Sequence, residues 1–201
     1  MARIAAQTDP LAVILLAAGL SQRTGDVNKL LHPYQGTALL CHGLARLKQA
    51  GPFPIFVITG HQHKAIEDAL SDQEVSFIHN QAYHSGMASS IRTALSELGP
   101  FYENVMIALA DTPHLDSAII AQLVKAHLSH KTPHCLITRP LYDGKMGHPV
   151  IWGKDYFTEL QKLEGDQGGK ALFETAQDHT QILAFSNPNP ARDFDTLADF
   201  L

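Results

Sequence analysis

The sequence is poor in the features that mark several large classes of protein. Its two cysteines, Cys41 and Cys135, lie far apart and form no CxxC pair, so a disulfide scaffold or a thiolate zinc site is not expected. Charged residues make up only 17% of the 201 residues. The formal net charge of -5 argues against a general nucleic-acid-binding protein, which would carry a basic excess.

No apolar run has the length of a membrane span. The longest, residues 11–20, is about half of the ~20 residues that a spanning helix requires. Asp9 and Pro10 precede it with only Arg3 further upstream, which does not resemble a signal peptide. We therefore expect a cytoplasmic protein that binds neither membrane nor nucleic acid and keeps its thiols reduced.

Apolar residues form 45% of the chain, and their spacing indicates an α/β fold. Short apolar runs alternate with helical stretches, which predicts a mostly parallel sheet with helices on both faces and a small β-hairpin insertion. We expect one domain over residues 1–201, with residues 1–10 as a flexible N-terminal tail. Predicted strands cover 11–16, 54–60, 75–80, 104–111, 134–140 and 180–185, predicted helices 37–51, 63–72 and 85–99, and the hairpin 141–153.

Candidate site residues follow the predicted strands. The loop 17–29, Asp111 and the segment 143–149 each come directly after or near the end of a strand. Ligands of such sheets collect at the carboxyl ends of the strands, so these three sites are expected to share one edge.

The loop 17–29 combines glycines with two long cations. Gly19 and Gly25 allow backbone N–H groups to approach phosphate oxygens, while Arg23 and Lys29 can reach different phosphates. The pattern is neither a P-loop nor a GxGxxG motif. The residues alone leave two interpretations open, a triphosphate site and a surface loop with solvated cations.

For each acidic candidate too, the residues alone leave two interpretations open, a metal ligand and a structural cap. Asp111, in "ALADTP", can hold Mg²⁺ at the rim of the sheet or cap a turn. Asp195 can supply a second metal carboxylate or cap the last helix. The twelve histidines show no HExxH or other zinc spacing, and we expect them at the surface and in loops, except for His148.

Six stretches occur in the order seen in the MobA-like nucleotidyltransferases. They are "LLAAGLSQRTGDVNKLL", "NQAYHSGMASSIRTAL", "ALADTPHL", "GHPVIW", "GDQGGKALF" and "DFDTLADF". Within that family the chain most resembles the MocA branch, the molybdenum cofactor cytidylyltransferases. The resemblance implies a single Rossmann-like, three-layer domain related to the GT-A fold.

The resemblance also implies a set of site residues. Arg23, Lys29 and Asp111 would be catalytic, and Asp111 and Asp195 would hold Mg²⁺. Nucleotide would be bound by Leu16, Ala17, Ala18, Gly19, Ser21, Lys29, Asn80, Gly86, Ser89 and Ser90. The acceptor would be bound by Gly147, His148, Pro149, Gly168 and Gly169.

The activity implied by the resemblance is transfer of CMP from CTP to Mo-molybdopterin, which is a substrate here, with release of pyrophosphate. The guanylyltransferase branch has LAGG where this chain has Ala17-Ala18-Gly19, and a methyl group at position 18 would crowd a purine more than cytosine. Alternatives are GMP transfer, another phosphorylated acceptor, or a chaperone that delivers the cofactor to a molybdenum hydroxylase of the xanthine dehydrogenase type.

Overall fold

The computed structural model describes residues 10–20, 28–166, 168–186 and 194. The predicted N-terminal tail, except for Pro10, lies outside these residues. The strands are β1 (Ala12–Ala17), β2 (Pro33–Tyr34), β3 (Thr37–Ala38), β4 (Ile55–Thr59), β5 (Ser76–His79), β6 (Asn104–Leu109), β7 (Ile137–Tyr142), β8 (Lys145–Met146), β9 (Val150–Gly153) and β10 (Thr180–Phe185). The helices are α1 (Leu39–Ala50), α2 (His63–Ala69), α3 (Met87–Leu98), α4 (Ser117–Leu128), α5 (Phe157–Gln161) and α6 (Lys170–Thr175).

Eight of the described strands form one mostly parallel sheet in the order β10-β7-β9-β6-β1-β4-β5, with β8 paired to β7, while β2 and β3 pair with each other as a separate antiparallel sheet. Strand β1 lies between β4 and β6 and is parallel to both. Strand β9 runs antiparallel to β6 and β7. The fold class predicted from the sequence, a single α/β domain with a mostly parallel sheet, is confirmed.

Both faces of the sheet are covered, which explains why all six residues of β1 are apolar and buried. Its alternate residues enter two cores. Val13 and Leu15 pack with apolar residues of α1, α2 and α4, whereas Ile14 and Leu16 pack with those of α3 and α5. The sheet is therefore a rigid layer that fixes where its loops emerge.

The hairpin insertion is present where the sequence predicts it. Strands β7 and β8 pair through a turn in which Asp143 and Gly144 have positive φ angles of 46° and 81°. The chain then passes a cis His148–Pro149 peptide and enters β9. The sequence does not predict the position of β9 between β6 and β7.

Several predicted bounds differ from the structure by one to three residues, and strands β6 and β7 are two examples. Strand β6 ends at Leu109 rather than Asp111, because the chain turns at residues 110–111, where the Thr112 hydroxyl donates to the carbonyl of Leu109. Strand β7 begins at Ile137 rather than at residue 134, because residues 133–135 form a 3₁₀ turn that starts at a proline.

The prediction that the histidines lie at the surface is wrong for His127, which is 0% exposed at the end of α4. Its two ring nitrogens lie 2.9 Å from Thr138 Oγ1 and 3.0 Å from Asn104 Oδ1. Burial, and secondarily the charge of His130, lowers the pKa of His127 from 6.5 to about 4. This histidine therefore stays neutral and joins α4 to the sheet.

Within the part of the chain that the structure describes, every helix is too short or too polar to cross a bilayer.

Candidate active site

A cavity of about 430 Å³ opens at the carboxyl ends of β1 and β6. Its wall includes Leu16 of β1 with Ala18, Gly19 and Leu20 after that strand, and Leu109 of β6 with Asp111 after it. Lys29, Leu30, Tyr83, His84, Gly86, Met87, Ser90 and Asp166 complete the wall. The cavity therefore lies at the edge of the sheet where ligands of parallel α/β folds are bound.

Lys29 and Asp111, 82 positions apart in sequence, form an ion pair in this cavity. Lys29 Nζ lies 2.5 Å from Asp111 Oδ2, and the two side chains are 16% and 18% exposed. Lys29 is held by a short 3₁₀ turn, Lys29–Leu31, in which Asn28 Oδ1 accepts the N–H of Leu30. Because Leu30 is buried, the turn is anchored and Lys29 stays directed into the cavity.

Asp111 is fixed by backbone hydrogen bonds on both sides. Ala110 donates to the carbonyl of Leu16 at 3.1 Å, and the N–H of Phe194 donates to the carbonyl of Asp111 itself at 3.2 Å. The Thr112 hydroxyl donates to the carbonyl of Leu109 at 2.7 Å. The C-terminal segment thus returns to the rim of the sheet at Phe194, which is 2% exposed.

Three predicted residues lie outside the described part of the chain. They are Ser21, Arg23 and Asp195. The described neighbour of Asp195 is Phe194, whose backbone contacts Asp111. The predicted roles of these three residues remain predictions.

The predicted nucleotide-binding polar residues form a buried network. Asn80 Nδ2 donates to the hydroxyls of Ser89 and Ser90 at 2.8 and 3.0 Å, and Asn80 Oδ1 accepts the N–H of Ala82. Ser90 reaches the cavity wall, whereas Asn80 and Ser89 are buried behind it. The network fixes the first turn of α3 against the end of β5, so that Ser90 has one orientation.

Ala18, which follows β1, packs closely against the loop after β4. A Cβ atom on Gly60 would lie 2.9 Å from the Ala18 methyl group and 2.6 Å from Tyr83 Cβ. Ala18 is therefore packed against Gly60, which follows β4, while a Cβ on Gly19 would meet nothing within 4 Å. Gly19 forms an open part of the wall where a ligand can approach the backbone.

Asp166 is a site residue that is not expected from the sequence. Its Oδ1 accepts the N–H of Met87 at 2.9 Å, which caps the N-terminus of α3, and its side chain lines the cavity. Gly86 makes this contact possible, since it has a φ of +97° and a Cβ there would lie 2.5 Å from the Gly165 carbonyl carbon. The only sequence signal is an acidic residue inside "GDQGG".

The predicted acceptor residues, all within the described ranges, are not among those that line the cavity. Gly147 donates its N–H to the carbonyl of Pro140 at 3.1 Å, and the Tyr142 hydroxyl donates to the carbonyl of His148 at 3.0 Å. The segment from Gly147 to Pro149 is therefore fastened to β7. Burial is the main cause that lowers the pKa of His148, and a hydrogen bond with the backbone of Ile107 partly opposes it.

The two glycines of the "GDQGG" turn allow close packing. A Cβ on Gly168 would lie 3.5 Å from Met87 Sδ, and a Cβ on Gly169 would lie 2.5 Å from the Trp152 ring. Gly169 precedes α6, as the sequence predicts for a helix N-terminus. Both glycines thus bring the turn close to α3 and to β9.

One further cluster could hold a metal ion. Ligand atoms of His134, Cys135 and Asp155 all lie within 4.8 Å of one another, at an exposed corner outside the cavity wall. The sequence does not predict this cluster, because its members come from two separate 3₁₀ turns.

The family model of the MobA-like NTP transferase domain matches residues 13–181, which include the described wall of the cavity. The chain belongs to the MobA-like NTP transferase family. The membership that the six sequence motifs indicate is therefore confirmed for the family.

Individual relatives agree with this assignment. The chain is 31% identical over 147 residues to the bifunctional protein GlmU of Desulfotalea psychrophila, a match that covers 73% of this chain but 42% of that protein. Among solved structures, Rv0371c of Mycobacterium tuberculosis H37Rv superposes with a TM-score of 0.82 at 26% identity, covering 96% of this chain and 97% of that one. A second Rv0371c structure, a complex with manganese, has a TM-score of 0.78 at 24% identity and covers 95% and 96% of the two chains.

Proposed function

We propose that this nucleotidyltransferase transfers CMP from CTP to Mo-molybdopterin and releases pyrophosphate. The observation that carries the proposal is the Lys29–Asp111 pair in the wall of the cavity, where β1 and β6 end. A cation and a carboxylate held together at this edge suit a ligand that combines phosphates with a metal ion.

The reaction needs charge neutralisation more than a general base. The acceptor phosphomonoester has a second pKa near ~6 and is mostly dianionic at neutral pH. One of its oxygens would form a bond to the α-phosphorus of CTP, while the bond from that phosphorus to the bridging oxygen breaks and pyrophosphate leaves. Lys29, and Arg23 from the same loop, would stabilise the negative charge that moves onto the leaving group.

The residues fit a magnesium ion. Asp111 Oδ2 contacts Lys29, and no partner of Oδ1 is found among the described residues, so this oxygen can bind a cation. Mg²⁺ commonly takes one or two carboxylates together with waters and substrate phosphates. Bound there, it would supply electrostatic stabilisation of the triphosphate. Asp195 is the proposed second ligand, supported by the contact of its neighbour Phe194 with Asp111. The manganese complex of Rv0371c also favours a divalent metal.

Cytosine is the base favoured by the packing after β1. Ala18 lines the cavity and its methyl group lies against Gly60, so it has little space to withdraw from a large base. Where a glycine stands at this position, a purine would have more space. We therefore expect CTP to be preferred over GTP.

The experiment is product analysis with four nucleotides. Purified protein is incubated with Mo-molybdopterin, Mg²⁺ and each of CTP, GTP, ATP and UTP, and the products are identified by mass. We expect the cytosine dinucleotide and pyrophosphate with CTP alone. A product with another nucleotide only, or none with any of the four, would contradict the proposal.

A second candidate keeps the reaction and changes the acceptor to a sugar or polyol phosphate. The 31% identity to the bifunctional protein GlmU favours it, although the chain spans less than half of that protein. A panel of phosphorylated acceptors with CTP and GTP separates the two candidates. Delivery of the dinucleotide to a molybdenum hydroxylase would be an additional role, tested by co-purification with such an enzyme.

A further inference from the structure

Arg139 has a guanidinium group without a hydrogen-bonding partner among the described residues. Its side chain is half-buried on β7, and its Nε atom is buried without a hydrogen bond. No ion pair of this arginine is found within the described ranges either. A guanidinium has five N–H donors, and leaving a buried one unsatisfied is costly, so an anion that accepted a hydrogen bond from Nε would remove this cost.

Aromatic packing holds Arg139 in position. Its guanidinium carbon lies 3.7 Å from the centroid of the Phe173 ring on α6. Phe173 in turn stacks on Trp152 of β9, with ring centroids 5.1 Å apart. The cation–π contact fixes one face of the guanidinium without supplying any hydrogen-bond acceptor. The donors thus remain available to a ligand.

His148 adds a second buried donor or acceptor beside Arg139. Its Nδ1 is buried and lacks a hydrogen-bond partner among the described residues. The bond from the Gly147 N–H to the Pro140 carbonyl, 3.1 Å long, holds this segment against β7 next to Arg139. After burial, the main cause, the Arg139 charge also lowers the pKa of His148 and the Asp111 charge raises it, so both groups lie within electrostatic range of its ring.

We propose that Arg139, held on Phe173 and assisted by His148, binds the phosphomonoester of the acceptor next to the nucleotide site. The inference rests on the proposed nucleotidyl transfer and names the residue that recognises the second substrate. An arginine suits a dianionic phosphate because its planar fork can donate two parallel hydrogen bonds. Strand β7, which carries Arg139, and strand β1, which leads to Lys29, lie on opposite sides of β6 and its Asp111. This separation would keep acceptor and triphosphate in different subsites.

The first test measures anion binding directly and does not require turnover. The ¹H–¹⁵N resonance of Arg139 Nε is assigned by its loss in Arg139→Lys and followed during titration with inorganic phosphate and with a sugar 1-phosphate. We expect a saturable shift of this resonance and no shift for Arg46, an exposed arginine on α1 that contacts Gln49. An Arg139 resonance that moves no more than that of Arg46 would overturn the proposal.

The second test separates the two substrates. In Arg139→Lys, which keeps the charge and loses the fork, we expect the KM of the acceptor to rise about tenfold or more while the KM of the nucleotide stays within twofold. Phe173→Leu should raise the acceptor KM less, and Arg46→Gln should change neither. If product forms normally and Arg139→Lys leaves the acceptor KM unchanged, the inference fails while the proposed function stands. If the resonance shifts but no nucleotide is transferred, the proposed function fails and the anion site remains.

Discussion

Removing the charge of Lys29 tests the cavity most simply. In Lys29→Ala the ammonium group 2.5 Å from Asp111 Oδ2 is lost, and with it the cation that would face the leaving pyrophosphate. The side chains of the pair are 16% and 18% exposed, so solvent cannot fully replace the charge. Loss of one preorganised charge costs about 10²–10³ in kcat, or about 2.7–4 kcal/mol of transition-state stabilisation.

The assay is the initial rate of pyrophosphate release at saturating substrate concentrations. Because the charge acts on the leaving group, we expect kcat to fall rather than only KM to rise. Lys48→Ala is the matched control, since Lys48 lies on α1 and donates to the Gln73 side chain, 2.9 Å away at the surface. A Lys29→Ala enzyme whose kcat lies within about threefold of the Lys48→Ala enzyme would refute the assigned role.

Three further predictions concern the metal, the glycine contact and the buried histidine. Asp111→Asn should abolish the Mg²⁺-dependent rate, and an unchanged metal titration would contradict its role as ligand. Gly86→Ala should lower the free energy of unfolding in urea by about 1–3 kcal/mol. Gly36→Ala is the control, because Gly36 has a similar φ of +92° but open space around its Cβ, and its effect should be smaller. Equal effects would rule out the close approach of residue 165 to residue 86. The neutral form of His127 is favoured in the folded state, since its pKa is lowered from 6.5 to about 4, so stability should decrease as the pH falls through this window, by about 3 kcal/mol in total. His127→Asn should flatten the slope of unfolding free energy against pH by about 1.4 kcal/mol per pH unit there, and an unaltered slope would contradict the assignment.

The sequence predicts the fold well because the central strands are buried on both faces. The apolar run of β1 and the aliphatic stretch of β6 are too hydrophobic to lie exposed to solvent, so both must be buried in the sheet. Their parallel pairing follows from the helices that connect the strands. The proximity of Lys29 and Asp111 follows in turn, since both come after neighbouring strands. Local sequence patterns therefore suffice to predict which residues meet at this edge of the sheet.

The rest of the site depends on long-range packing that no local pattern encodes. Asp166 reaches Met87 across 79 positions, and it does so only because Gly86 leaves space at the start of α3. Arg139 looks like an ordinary strand residue until the rings of Phe173 and Trp152 are seen beside it. Conversely, the sequence places Asn80 among the nucleotide-binding residues, yet its donors are used within the protein.

The most direct measurement of the central claim is a crystal structure with Mg²⁺ and a non-reactive CTP analogue. We predict the triphosphate in the cavity after β1, in contact with Lys29, with the metal on Asp111 and the base against Ala18. A nucleotide bound outside this cavity, or a triphosphate that touches neither Lys29 nor a metal on Asp111, would contradict the proposed role of the site.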